Sequence, residues 1–359
     1  MKFIKVLAFV FLFFLLVTGG LFYWIYKSVR TPHAHAKSNI YIQIPKGSTP
    51  NEIINKLAAE GILANEYPTL VYLRTFGDAG KLQAGEYQFD SPITPLQVLK
   101  ELEKGEDRTT KLTIPEGFTR FDIAKRINEK FPQNPAIDDK QILALMDDVS
   151  LIKDFDPQAK NLEGYMFPTT YNFPREVTPK QIIKTMVEQF KKTWKPEWND
   201  RAGQLNKTPR EIVTIASLIE TESKFDDERA DVASVIYNRL QKGIPLGIDQ
   251  TAVYIAKMEN RWNGTIHRSD LDADSPYNTR KVIGLPPGPI SSVSESALNA
   301  ALNPSQTDYI YYVLDTTRDD GRQIFFSSAA DFERAKIAYQ AWLEQQRKIK
   351  REQEAVNNN

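Results

Sequence analysis

The chain of 359 residues contains no cysteine. Structural disulfides, thiolate metal sites and cysteine nucleophiles are excluded at once. Histidine is scarce as well. His33 and His35 sit just beyond an apolar N-terminus, and only His267 lies in the body of the chain. A serine–histidine–aspartate triad around that residue would lack its usual companion, because no G-x-S-x-G turn occurs. P-loop, G-x-G-x-x-G and H-E-x-x-H patterns are also missing. The 46 basic and 46 acidic residues cancel, so charge directs nothing toward nucleic acid. No metal or cofactor is expected. If the protein is an enzyme, its chemistry rests on carboxylates.

What is present begins with an uncharged apolar run from Val6 to Tyr26. Its roughly 21 residues, at about 1.5 Å each, give about 32 Å, enough to cross a bilayer core. Tyr23, Trp24 and Tyr26 cluster at its far end, as aromatic belts do. The rival is a cleaved signal peptide, since Ala34-His35-Ala36 has the form of a cleavage site. The run is longer than a signal core, however, and that site lies well past its end. An uncleaved anchor over residues 1–27 is therefore expected, followed by a polar linker, 28–38. Lys2 and Lys5 are balanced by Lys27, Arg30 and Lys37, so charge leaves the orientation open.

The remainder has globular composition and an α+β pattern. A weak echo helps divide it: Ile42-Gln-Ile-Pro-Lys-Gly-Ser-Thr-Pro-Asn-Glu-Ile53 is matched by Leu112-Thr-Ile-Pro-Glu-Gly-Phe-Thr-Arg-Phe-Asp-Ile123. Each copy reads as a short strand, a glycine turn, a threonine cap and an amphipathic helix. Leu82 to Phe89 alternates like a strand, and Thr94-Pro95 opens a helix ending near Gly105. Residues 39–108 thus form a small α+β module, and 109–346 a mixed helical and β domain. The pattern predicts helices over 118–131, 138–146, 178–194 and 227–240, and strands over 309–314 and 323–326. The charged stretch 347–359 reads as a disordered tail.

Thr208-Pro-Arg-Glu-Ile-Val-Thr-Ile-Ala-Ser-Leu-Ile-Glu-Thr-Glu-Ser223 carries the sharpest chemical signal. Thr208, Pro209 and Glu211 are helix-start signals. At 100° per residue, Glu222 falls between Ile215 and Leu218 on the apolar face, with Thr214, Ser217 and Thr221 opposite. A carboxyl group there loses solvation on folding, which disfavours ionisation and suits a general acid. A glutamate reaching from the helix edge to solvent or an arginine is the plain alternative. Glu220, on the other flank, reads as structural. Asn161-Leu-Glu-Gly-Tyr-Met-Phe-Pro-Thr-Thr-Tyr-Asn-Phe173 packs aromatics, a carboxylate, glycine and proline together, fitting either a sugar-binding groove or a core-packed loop. Asp249 could supply an acid but reads better as an exposed cap of a helix over 251–258.

These segments together resemble the endolytic murein transglycosylase family, MltG- or YceG-like, over nearly the whole chain. The motifs that carry the resemblance are Leu162-Glu-Gly-Tyr-Met-Phe-Pro168, Ile215-Ala-Ser-Leu-Ile-Glu-Thr-Glu-Ser223, Glu228-Arg229, Asn238-Arg-Leu240, Tyr277-Asn-Thr279 and Gly284-Leu-Pro-Pro-Gly-Pro-Ile290. The resemblance implies lytic cleavage of the MurNAc–GlcNAc β-1,4 bond of peptidoglycan, with Glu222 as the catalytic residue. It implies a LysM-like fold for residues 39–108 and a single-pass protein of the inner (cytoplasmic) membrane, with its body on the extracytoplasmic side. Glycan strands are the implied substrate, and peptidoglycan synthases the implied neighbours. Glu163, Tyr165, Ser223, Tyr277 and Asn278 are the candidate substrate-binding residues. Thr169, Gln250 and the lack of a histidine over 325–333 depart from the family pattern. A hydrolase using water, or a non-catalytic wall-binding scaffold, are the other classes to separate.

Overall fold

The computed structural model describes residues 2–357 apart from 39, 46, 106–108 and 175. The expected module bounds at 39 and 108 and the last two tail residues lie outside them. The chain folds as two compact units, Met1–Thr109 and Thr110–Asn359.

The first unit opens with α1 (Lys2–Arg30). Within it, Phe9–Arg30 has a mean hydropathy of 2.1 and is long and apolar enough to cross a membrane. Its large side chains from Phe9 to Phe22 are exposed, as lipid-facing residues are. The expected linker is not free chain. α1 continues to Arg30, and His33 exchanges backbone hydrogen bonds of 2.8 and 3.0 Å with Ile93, which ties the segment to this unit.

The order then runs β1 (Ile42–Ile44), α2 (Pro50–Ala59), α3 (Glu66–Thr75), β2 (Gly85–Tyr87) and α4 (Pro95–Lys104). β1 and β2 pair antiparallel with Ile42 opposite Tyr87. Thr49 with Glu52, and Thr94 with Gln97, close capping boxes at the starts of α2 and α4. Gly105, in the left-handed conformation at φ 57°, ends α4. Ile42, Ile44, Ile54, Leu57, Val98 and Leu102 bury the inward faces of these elements in one apolar core.

The second unit contains β3 (Thr110–Thr113), α5 (Arg120–Lys130), α6 (Asp139–Met146), β4 (Thr170–Phe173), α7 (Pro179–Thr193) and α8 (Glu197–Gln204). These are followed by α9 (Pro209–Glu222), α10 (Arg229–Lys242), α11 (Gln250–Met258), α12 (Arg268–Leu271), α13 (Glu295–Leu302), β5 (Tyr311–Leu314), β6 (Gln323–Phe326) and α14 (Ala329–Asn357). β3 pairs antiparallel with β4, and β5 with β6. The aromatic segment 161–173 therefore ends as a strand rather than a free loop.

α9 is the axis of the unit, and its surroundings differ from the sequence expectation. Every residue from Ile212 to Glu220 is buried, so the helix has no polar outer face. Two of the expected polar-face residues, Thr214 and Ser217, are inside. Their hydroxyls donate to the carbonyls of Arg210 at 2.9 Å and Thr214 at 2.7 Å. Small hydroxyls that bond their own helix can be buried without an orphaned polar group. α13, α10, α8 and α11 pack around α9. The expected disordered tail is helical as far as Asn357, where its Glu, Gln, Lys, Arg and Ala residues are strong helix formers.

Candidate active site

Glu222 is the last residue of α9, and Ser223, with extended dihedrals, caps the helix end. The breaker-free run from the Thr208 capping box thus delivers one carboxyl to the point where the buried helix reaches the surface. Glu222 is half-buried, and its Oε2 accepts a 2.7 Å hydrogen bond from the Tyr312 hydroxyl on β5. On β6, the Gln323 side-chain amide donates to the Glu222 backbone carbonyl at 2.9 Å. Gln323 N donates to Glu228 Oε1 at 2.9 Å, and Arg322 pairs with Asp227 at 2.8 Å. The β5–β6 hairpin is thereby pinned across the turn that leaves α9.

Burial pushes the Glu222 carboxyl up to about 7, and the Asp249 charge adds to the rise. The Tyr312 hydrogen bond and the Arg239 charge oppose it. Position adds to the same effect, since a helix C-terminus presents partial negative charge. The Arg239 guanidinium is fixed by carbonyls: Nε donates to Ile310 at 2.7 Å and Nη1 to Leu246 at 2.7 Å. Near neutral pH, Glu222 is thus divided between acid and carboxylate. It can give a proton in one step and recover one in the next.

The other expected site residues do not converge on Glu222. Ser223 is buried, and its hydroxyl donates to the Phe225 carbonyl at 2.9 Å, closing the turn after α9. Tyr165 belongs to the core, with its hydroxyl on Asp156 at 2.7 Å and its ring against Phe155 and Phe190. Asn278 is fully buried and donates to the carbonyls of Leu271 at 3.0 Å and Ala273 at 2.8 Å. Its oxygen accepts from Arg280 N at 3.1 Å, which leaves little capacity for a ligand. In each of the three the polar group is bonded within the protein: Ser223 and Asn278 to carbonyls of their own turns, Tyr165 to Asp156.

Glu163 forms a second centre. Both its oxygens accept from Arg120 N, at 3.1 and 3.0 Å, at the N-terminus of α5. Burial pushes this carboxyl up to about 7 against the pull of Arg120 and Tyr254. Tyr277 joins here, its ring 5.1 Å from that of Tyr254. None of these is a partner of Glu222. The adjoining Gly164 is required twice over: its φ is +82°, and a Cβ would lie 2.5 Å from Pro289.

Glu220 is a structural carboxylate, bonded to Arg229 at 2.9 Å and to Ser294 N at 2.7 Å. Asp249 is at the start of α11 but makes no side-chain cap. It pairs instead with Arg280 at 2.6 Å and lends its charge to the Glu222 site. Tyr312, Gln323 and Arg239 are the site residues that sequence reasoning missed. The strand pattern over 309–314 and the Asn238-Arg-Leu240 motif were visible, but neither says which side chain meets Glu222.

A half-buried, protonatable carboxyl at the end of α9, bonded by Tyr312, is the candidate acid–base group of this α+β unit. The chain belongs to the YceG-like family, whose model matches residues 42–338. It is 31% identical over 343 residues to an endolytic murein transglycosylase of Bacillus subtilis, covering 90% of this chain and 91% of that protein. A protein of the same description from Streptococcus pneumoniae is 29% identical over 358 residues, covering 92% of this chain and 64% of the relative. The crystal structure of a yceG-like protein from Listeria monocytogenes superposes with a TM-score of 0.55 at 32% identity, over 82% of this chain and 98% of that one.

Proposed function

We infer that the chain is a lytic transglycosylase of peptidoglycan that cuts the MurNAc–GlcNAc β-1,4 bond inside a glycan strand, with Glu222 as its single acid and base. The protonated carboxyl gives its proton to the glycosidic oxygen while the C1–O bond breaks, and GlcNAc leaves with a free 4-hydroxyl. The resulting carboxylate takes the proton of the MurNAc C6 hydroxyl, and O6 closes on C1 to leave a 1,6-anhydro ring. Glu222 ends protonated, no water is consumed, and the intramolecular hydroxyl has a high effective concentration. The observation that carries this reading is the half-buried Glu222 poised near neutrality beneath Tyr312.

In this reading α1 anchors the protein in the cytoplasmic membrane, with the body outside beside the synthases that supply nascent strands. The strand–helix–helix–strand order of β1, α2, α3 and β2 supports a LysM-like, glycan-positioning module. Asp249 favours one rival. A second carboxylate close enough to raise Glu222 could activate water, as in a muramidase. Digestion of purified peptidoglycan in ¹⁸O-water separates the two. Anhydro ends without label are expected, and labelled reducing ends would replace the lytic reading with the hydrolytic one.

A further inference from the structure

We propose that the cleft between the end of α1 and α3 takes the acyl chain of a membrane phospholipid, which seats the C-terminal end of α3 in the bilayer boundary. This rests on the reading of α1 as a membrane anchor and is independent of the Glu222 chemistry. The cleft encloses about 240 Å³ and is lined by Phe22, Ile25, Tyr26, Arg30, Tyr72 and Phe76. All but Arg30 are apolar or aromatic, and no carboxylate lines it among the described residues. Such a lining suits a hydrocarbon chain and offers a polar ligand few hydrogen bonds.

Depth along α1 says what fills it. For an upright helix counted from Val6, about 20 residues bring the far face of a roughly 30 Å hydrocarbon core to Tyr26. Trp24 and Tyr26 are exposed there, as interfacial aromatics are. Phe22 then lies about 6 Å inside that face. Phe76, the cap of α3, meets Phe22 edge-on with ring centroids 5.6 Å apart, and packs on Tyr72 at 5.8 Å. The end of α3 is therefore carried to the level where α1 leaves the hydrocarbon. Phe22 lines the cleft and is 57% exposed as part of the lipid-facing side of α1, so the two surfaces are continuous.

Packing within this unit holds α3 in that place. Ile25 and Val29, on the inner side of α1, are buried, and α1 packs on α3 and α4. Ala64, Asn65 and Pro68, at the start of α3, share a second cleft with Lys27, Ser28 and Thr31, so α3 descends beside α1 from its polar end toward Phe22. Phe76, at the tip of this descent, is 59% exposed, an apolar end that lipid would cover. The neighbouring charges fit the head-group level. Arg74 and Asp78 are exposed, and Asp78 pairs with Lys81 at 3.4 Å. Arg30 lies about 6 Å beyond Tyr26 along α1, on the side where lipid phosphates lie, with its guanidinium 3.9 Å from the Tyr26 ring centroid.

The absence of cysteine allows single labels on the full-length protein. F14C, Y67C and T75C, all at exposed positions, each carry a fluorophore in phosphatidylcholine vesicles. The quenchers are doxyl-labelled phosphatidylcholine in the bilayer and iodide in the water. We expect lipid quenching at 75 well above that at 67, with 75 shielded from iodide. F76S, added to T75C, should shift the docking equilibrium by about tenfold toward iodide access at 75. Equal lipid quenching at 67 and 75, or iodide access at 75 without F76S, would overturn the proposal. Shielding of 75 from both quenchers would assign the cleft to a second copy of the chain and overturn it as well. Position 14 reports on the anchor: no lipid quenching there would remove the anchor reading and the proposal with it, whereas quenching at 14 without quenching at 75 would remove the proposal alone.

Discussion

The Tyr312 hydroxyl donates to Glu222 Oε2 at 2.7 Å, across 90 positions of sequence. The bond stabilises the ionised carboxyl and opposes the burial that favours the neutral one. Its consequence is kinetic. In the proposed mechanism Glu222 must be protonated to cleave, so activity should fall as pH rises through its value of about 7. Tyr312→Phe removes the opposing bond, raises the carboxyl further and moves the alkaline limb of the kcat/KM profile to higher pH. Loss of a positioning contact should also lower kcat by about tenfold. A variant with a lower rate and an unmoved limb would limit Tyr312 to a packing role.

Glu163 predicts a stability effect with a definite sign. Its folded value, about 7, lies above the ordinary carboxyl value of 4.5. Its contribution is therefore fully present below about pH 4.5 and is lost as pH rises through about 7. The loss amounts to about 3 kcal/mol at most above neutrality. Glu163→Gln should flatten this slope, so the Tm difference between variant and parent moves in the variant's favour from pH 5 to pH 8. Parallel melting curves for the two proteins would contradict the assignment.

The Glu220–Arg229 pair predicts a larger effect. Its side chains are 2% and 5% exposed and meet at 2.9 Å. Removing either partner deprives a buried charge of its nearest and only buried counter-ion, which costs about 3–5 kcal/mol. Glu220→Ala should therefore shift the denaturant midpoint strongly, while Glu116→Ala, at the exposed outer contact of Arg229, should shift it little.

Local rules were legible in the sequence and long-range contacts were not. The Thr-Pro starts at 49, 94, 178 and 208 all close capping boxes, because a cap is decided within four residues. The start of α9 after Thr208 was visible in the same way. Which face of α9 is buried was not, since four neighbouring helices cover it on all sides. α8 and α13 escaped notice because their short sequences carry little periodicity. Tyr165 and Asn278 resembled groove residues by type, yet an aromatic ring in a core and one in a groove look alike until packing separates them. Tyr312 illustrates the converse: its strand was read, but its partner lies across the fold.

The most direct measurement is mass spectrometry of the fragments released from purified peptidoglycan by the full-length protein and by Glu222→Gln. The parent should release muropeptides ending in 1,6-anhydroMurNAc. The variant, with unchanged Tm or a small rise, should fall by about 10²–10⁴-fold. Anhydro products from the folded variant at the parent's rate would contradict the assignment of Glu222 as the acid and base.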